Sequence, residues 1–175
     1  VFIAGYDLNE ATTAAAYANA ASAALLRVGA DPLLSARLDV NISAVHQRLG
    51  ATEEALAAGL RALAVFDADP AADPSRRHRL LGNLGLIYKA RKQSREAREA
   101  FNRALELVRH MSGPDHPGVA TILTNLGELA LDEGNLDEAR TLADEAAAIR
   151  RRALPPEHLA FADGEQLFAN IAEAR

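Results

Sequence analysis

Residues 125–146 read NLGELALDEGNLDEARTLADEA, and residues 83–104 read NLGLIYKARKQSREAREAFNRA. The two stretches begin 42 residues apart, and 42 residues further upstream residues 41–62 read NISAVHQRLGATEEALAAGLRA. When the three stretches are superimposed without gaps, an asparagine, a Glu-Ala pair and a later alanine coincide in all of them. Self-similarity at one fixed period indicates a repeat architecture.

Each 42-residue period is predicted to contain two α-helices, and an acidic residue opens the first of them. An aspartate at the N-cap accepts hydrogen bonds from backbone N–H groups that have no partner at the helix start, and it faces the positive end of the helix dipole. A proline follows closely, and proline is tolerated in a first helical turn. The acids are Asp31, Asp73, Asp115 and Glu157, and the prolines are Pro32, Pro74 and Pro117.

The first helix is predicted to run for about four turns and to end where a residue favours the left-handed conformation. A second helix follows, and it carries alanine and leucine at helical spacing, with small residues that let helix backbones approach closely. The expected ends of the first helices are Gly50, Lys92–Gln93 and Gly134, and the expected caps of the second helices are Thr52, Ser94 and Asn135 or Asp137.

This pattern divides the chain into whole and partial repeats. Residues 31–72, 73–114 and 115–156 are predicted to be three whole repeats. Residues 1–30 are predicted to hold the end of a first helix and a second helix at about 9–28, and residues 157–175 the first helix of a further repeat. Apolar residues in these terminal pieces predict that further repeats follow or that a partner covers them. They are Phe2, Ile3, Phe161, Leu167, Phe168 and Ile171.

Composition excludes several classes of protein. Of the 175 residues, 49% are hydrophobic but only 5% are aromatic, so the core is expected to consist of alanine and leucine. The net charge of −5 argues against a nucleic-acid partner, since such proteins are usually basic. Cysteine is absent, which excludes disulfides and thiolate metal sites. No apolar stretch approaches the ~18 residues of a membrane span, and no signal peptide is recognisable, so we expect a cytoplasmic protein without membrane partners.

No catalytic or cofactor-binding constellation is recognisable. The sequence has no glycine-rich phosphate loop and no His-Glu-x-x-His segment, so neither a cofactor nor a metal is expected. Ser43 lies near His46, but no acid completes a triad. His46 is expected to be a buried, hydrogen-bonded side chain, and His116 is expected to belong to a helix start. We therefore do not expect an enzyme.

Two of the repeats carry a recognisable pattern. The third repeat contains Asn125-Leu126-Gly127, Ala130, Gly134, Ala139 and Ala146, and the second contains Leu84-Gly85, Tyr88, Ala97, Phe101 and Ala104. The pattern resembles the tetratricopeptide repeat, and residues 116–127 together with the 42-residue period resemble its kinesin-light-chain-like subclass. The resemblance implies an all-α fold, a right-handed α-solenoid of antiparallel helix pairs, and a protein or peptide partner. This subclass is abundant in bacteria, where it forms arms of larger regulators.

In proteins of this family the first helices line a concave groove, and the resemblance implies that the groove binds the partner. Helical periodicity selects the residues on that face. An asparagine amide there can donate to and accept from the backbone of an extended peptide, whatever its sequence. The candidate peptide-binding residues are Arg37, Asn41, Arg48, Arg79, Asn83, Lys89, Thr121, Asn125 and Glu128.

Each candidate has a structural alternative. The asparagines could instead tie one helix to its neighbour, and Arg37 and Arg79 could be solvated or bound in intramolecular salt bridges rather than paired with a ligand carboxylate. The charges are basic in the first two repeats and acidic near Glu128 and Asp132, which favours a ligand with the opposite gradient. No chaperone-tail clamp is expected, because Val40, Ala44 and Gly82 stand where its lysines and asparagines would be.

Two functions remain open from the sequence. The first is a protein–protein interaction scaffold that binds a peptide or a partner domain in the groove. The alternative is a structural or regulatory arm of a larger multidomain bacterial regulator, which acts by intramolecular packing or by self-association through its terminal helices. The asparagines favour the first function, and the apolar terminal residues favour the second.

Overall fold

The computed structural model describes residues 13, 16, 17, 20, 21, 23, 24, 27, 29, 31–69, 73–155, 158 and 160–174, with side chains in the last range from residue 164 onward. Within residues 31–174, seven α-helices and no strand are described, which confirms the all-α fold. Described residues between 13 and 27 are helical, and the rest of the helix predicted at 9–28 lies outside the described residues. The helices are α1 (Pro32–Arg48), α2 (Thr52–Ala68), α3 (Pro74–Ala90), α4 (Ser94–Ser112), α5 (Pro117–Asp132), α6 (Leu136–Ala153) and α7 (Ala160–Glu173).

The chain forms two compact units, Val1–Arg91 and Lys92–Arg175, called unit 1 and unit 2 below. In unit 1, α1 packs along α2, and α3 packs against both. In unit 2, α5 packs along α6, α4 packs against α5, and α7 packs against both α5 and α6. Each unit therefore contains an antiparallel helix pair with the next helix of the chain laid against it.

The helices that begin with a proline are capped by the residue directly before that proline. Asp31 Oδ1 accepts a hydrogen bond from the Leu33 amide at 3.0 Å, and Asp73 Oδ1 accepts one from the Arg76 amide at 3.3 Å, so both predicted caps are confirmed. The prediction for Asp115 is wrong. Because Pro117 lies two residues after Asp115, the cap falls on His116, whose Nδ1 accepts from the Gly118 amide at 3.0 Å.

The helices α2, α4 and α6 begin without a side-chain cap, which corrects a second prediction. Thr52 and Ser94 are the first residues of their helices, and Asn135 occupies the cap position without a side-chain hydrogen bond. The turns before these helices close through the backbone. Their middle residues, Gly50, Lys92 and Gly134, have φ values of 71°, 60° and 79°, so the predicted left-handed turn positions are confirmed.

Small residues fill the contact between paired helices. In unit 1, Ala55, Ala62 and Gly59 of α2 are buried, and a Cβ built on Gly59 would lie 2.7 Å from Leu84 Cδ2 of α3. Ser43, which stands where the other two repeats have glycine, is fully buried and donates to the Ala55 carbonyl oxygen at 2.8 Å. The hydroxyl is therefore accommodated by a hydrogen bond rather than by looser packing.

Two of the apolar residues near the end of the chain belong to the core of unit 2. Leu167 and Ile171 of α7 are each 1% exposed, and they pack with Ala130, Ala139 and Ala143. Phe168 is partly buried beside them, with the Arg140 guanidinium 5.1 Å from its ring centroid. Phe2, Ile3 and the side chain of Phe161 lie outside the described residues. The described part of α7 is thus held by its own unit.

Gly59→Ala is expected to destabilise the protein by about 1–3 kcal/mol, because the new methyl group overlaps Leu84, which is fully buried. Gly82→Ala in α3 is the matched control. No described atom lies within 4 Å of a Cβ at that position, and alanine in a helix interior is more stable than glycine by about 0.5–1 kcal/mol. Chemical denaturation of the two variants should therefore shift the midpoint in opposite directions. A stabilised Gly59→Ala variant would contradict this packing.

Leu84→Ala should lower the free energy of unfolding by about 2–5 kcal/mol, since it removes a fully buried leucine from the core of unit 1. Leu60→Ala serves as the control, because Leu60 is 43% exposed, and its truncation should cost about 1 kcal/mol or less. Urea unfolding followed by circular dichroism measures both values. Equal costs for the two substitutions would show that the Leu84 side chain is not packed as described.

Candidate functional site

The candidate residues of unit 1 lie on α1 and α3. Arg37, Asn41 and Arg48 follow one stripe of α1, and all three are exposed. On α3, Arg79 is exposed and Asn83 half-buried, one turn apart on a corresponding stripe. Lys89, also half-buried, lies at its edge and makes an interaction of its own within the chain. Because α1 and α3 pack against each other, unit 1 brings the two stripes onto neighbouring helices.

The candidate residues of unit 2 all lie on α5. Thr121 is exposed, and its hydroxyl donates to the Pro117 carbonyl oxygen at 3.3 Å. Asn125 and Glu128 follow on the same stripe, and both are half-buried. Asp132 at the end of the stripe is exposed, and both it and Glu128 have interactions of their own. This face therefore carries an amide and two acids, as its sequence predicts.

The three asparagines share one property. The side-chain amides of Asn41, Asn83 and Asn125 form no hydrogen bond within the part of the chain that the structure describes. The structural alternative, in which each amide ties its helix to a neighbour, therefore has no support from the contacts. Amides without a partner keep their capacity to donate and accept for a ligand.

Arg37 is engaged inside unit 1 rather than solvated. Its Nε donates to Asp73 Oδ2 at 2.9 Å, and Arg76 Nε lies 3.0 Å from the same oxygen. The Asp73 side chain is 14% exposed, against 44% for Arg37 and 36% for Arg76. Asp73 was predicted only as a helix cap. Its second role, as the shared acceptor of two arginines, escaped sequence reasoning because nothing in the spacing shows which arginine reaches it.

The two stripes of α1 and α3 together form what we call unit 1's face. Arg79 and Arg48 carry the positive charge of this face that no acid neutralises. Arg79 Nε donates to the Ser75 carbonyl oxygen at 3.3 Å, a contact within its own helix that leaves the positive charge without an acid among the described residues. Arg48 at the end of α1 is exposed and forms no ion pair with the residues that the structure describes. The face consequently keeps a positive charge at these two positions, where a carboxylate could form a charge-assisted hydrogen bond.

The other pronounced ion pairs join helices within each unit. In unit 1, Arg61 on α2 donates to both carboxylate oxygens of Asp39 on α1 at 3.1 and 2.7 Å, and this hydrogen bonding raises the pKa of Arg61. In unit 2, Arg98 on α4 pairs with Glu138 and Glu133, and the bond to Glu138 is the main cause that raises the pKa of Arg98. These arginines stay charged throughout the ordinary pH range, so their pairs hold helices together and do no acid–base chemistry.

No group of three or more histidine, cysteine, aspartate or glutamate side chains among the described residues could hold a metal ion. His46 is buried as expected, but its Nδ1 has no hydrogen-bond partner among the described residues, so the expectation of a hydrogen-bonded histidine is wrong for that atom. None of the helices described is both long and apolar enough to cross a membrane.

Comparison with known proteins identifies the repeats. Residues 76–158 match the family model described as tetratricopeptide repeat, which covers a little under half of the chain. No curated protein matches the sequence. Among solved structures, BtubC (BKLC) from P. vanneervenii is 24% identical with a TM-score of 0.74, and the alignment covers 83% of this chain and 57% of that one. The present chain thus spans little more than half the length of that relative.

Two further structures show a putative kinesin light chain from Podosopora anserina with nearly identical TPR-like repeats. They are 19% and 20% identical to this chain, with TM-scores of 0.78 and 0.76, and each alignment covers 95% of this chain and 79% of theirs. At such identities the likeness concerns the fold alone. The family match, the helix pairs and these neighbours agree with one another: residues 76–158 match the tetratricopeptide repeat, and the chain has the fold of kinesin-light-chain-like arrays of such repeats.

Proposed function

We propose that the chain is a protein–protein interaction module in which the exposed faces of the first helices of each unit bind an extended segment of a partner. Tetratricopeptide repeats in general mediate protein–protein interaction, and their fold is in general a scaffold rather than an enzyme. The observation that carries the proposal is that Asn41, Asn83 and Asn125 recur at corresponding positions with amides that bond to no described residue.

The chemistry of an amide fits an extended backbone. A strand-like segment presents an N–H and a C=O on alternate sides, and an asparagine side chain complements both. Each such hydrogen bond contributes only about 0.5–1.5 kcal/mol net, because the same groups are solvated before binding. The asparagines would therefore position a backbone of any sequence, and neighbouring charged side chains would select among partners.

The alternative function, an internal arm or a self-associating end, has less support. It depended on apolar residues near the ends of the chain, which would need a cover. The two that are fully buried, Leu167 and Ile171, are covered by the core of unit 2. The peptide-binding proposal needs no such cover, since it uses residues that are exposed or half-buried. We propose that this binding takes place in the cytoplasm.

Asn83→Ala is expected to change the free energy of unfolding by no more than about 0.5 kcal/mol, because no hydrogen bond inside the described chain is lost. The same substitution should weaken the capture of a partner. Urea unfolding measures the first effect, and binding of the captured partner measures the second. If the variant is instead unfolded at about 25 °C, the result would show that this asparagine has a structural role.

The proposal as a whole is tested with an Arg79→Ala/Asn83→Ala variant in an affinity pull-down from lysate of the source cell. Its matched control is Arg95→Ala/Asn102→Ala, which removes the same two residue types from exposed positions of the second helix α4. We expect the wild type and the control to retain a protein that the first variant loses, and tiled peptides of that protein should show one bound segment. Retention by all three proteins would place binding outside these faces and refute the proposal.

A further inference from the structure

Asp73 lies where it controls the charge of unit 1's face. The residues of the α1 and α3 stripes include four arginines, Arg37, Arg48, Arg76 and Arg79, and no acid. Asp73, the cap of α3, is the carboxylate that reaches this set, through contacts of 2.9 Å to Arg37 and 3.0 Å to Arg76. It thus neutralises part of an otherwise uniformly basic patch.

The position of Asp73 is fixed by its role in the helix start. Its Oδ1 accepts from the Arg76 backbone amide at 3.3 Å, while its Oδ2 faces both arginine side chains. The side chain is only 14% exposed, so the carboxylate is partly withdrawn from water, and its field acts on the face with less screening than that of a fully solvated acid. A ligand carboxylate that approaches Arg37 or Arg76 therefore meets an acid already in place.

We infer that the segment bound by unit 1 is an acidic peptide and that Asp73 limits its affinity by occupying Arg37 and Arg76, so that ligand carboxylates pair with Arg79 and Arg48. The inference rests on the proposed function, since it assumes a peptide on this face. The partner's chemistry follows from complementarity: two arginines without an acid partner among the described residues, on stripes that contain no acid, favour negative side chains.

A substitution can remove the charge of Asp73 without removing the helix cap. The new side chain of an Asp73→Asn variant would cap α3 about as well as the aspartate does, and asparagine tolerates the left-handed conformation that this position adopts, with φ 48° and ψ 56°. Asp73→Gly is a second variant for the same test, because glycine adopts positive φ readily and weakens a cap only slightly. Both changes release Arg37 and Arg76.

The matched control is Asp67→Asn. Asp67 on α2 pairs with Arg77 at 2.6 Å, so this change also removes one negative charge and one ion pair with an arginine of α3. Arg77, however, is only 14% exposed and lies outside the stripe that contains Arg76, Arg79 and Asn83. Thermal unfolding of each variant establishes that it is folded before binding is measured.

The probe is a fluorescently labelled peptide of alternating glutamate and alanine, measured by fluorescence anisotropy at low salt, with glutamine–alanine and lysine–alanine peptides of the same length beside it. We expect the wild type to prefer the acidic peptide. Asp73→Asn and Asp73→Gly should tighten binding of the acidic peptide by about two- to fivefold, which corresponds to the free energy of one exposed ion pair. Asp67→Asn should show no such gain with the acidic peptide. The Asp73 variants should show no such gain with the glutamine–alanine peptide. The gain should disappear at high salt.

Several results would overturn the inference. Unchanged affinity in both Asp73 variants, an equal gain in Asp67→Asn, or binding of a single-stranded oligonucleotide as tight as that of the acidic peptide would each do so. If the Asp73 variants have no effect while Asn41→Ala/Asn83→Ala abolishes binding of the glutamine–alanine peptide, the proposed function survives and the inference alone fails. If no peptide binds to any form of the protein, both fail.

Discussion

The structure depends on the close approach of helix backbones at small residues. Alanines recur at helical spacing on α2, α4 and α6, and their complete burial leaves no space for a larger side chain at those points. Ala55, Ala62, Ala97, Ala104, Ala139 and Ala146 are all 0% exposed. Where two backbones come this close, the rotation of each helix about its axis is fixed, because only one stripe can face the partner. The residues at the edge of the packed stripe are then determined as well, and on the first helices these include the asparagines.

Much of this could be predicted from the sequence, because the determinants are local. A proline marks the start of α1, α3 and α5, and a residue with positive φ marks the turn after each of them, so the helices could be placed to within a residue or two. The cap of α5 was misplaced because one additional residue separates Asp115 from its proline. The caps of the second helices were misplaced because these turns close through backbone hydrogen bonds, for which side-chain identity gives no signal.

The candidate site was less predictable, for a different physical reason. Helical spacing shows which residues share a stripe, so the position of Asn83 next to Arg79 could be anticipated. It does not show which of several acids a long arginine side chain reaches, since Arg37 and Asp73 are 36 residues apart in the chain. Whether an amide has a partner also depends on the neighbouring helix, so the absence of hydrogen bonds to described residues at Asn41 and Asn83 required the structure.

The turns inside the repeats have a consequence for how such a chain changes in evolution. Three residues join α1 to α2, α3 to α4 and α5 to α6, and the middle one always has positive φ. A residue inserted there would rotate the following helix away from its partner. The connections that precede the proline helices are less uniform, with five residues before α3 and four before α5. Length variation among relatives should therefore accumulate between repeats, while the turn within each repeat keeps its length.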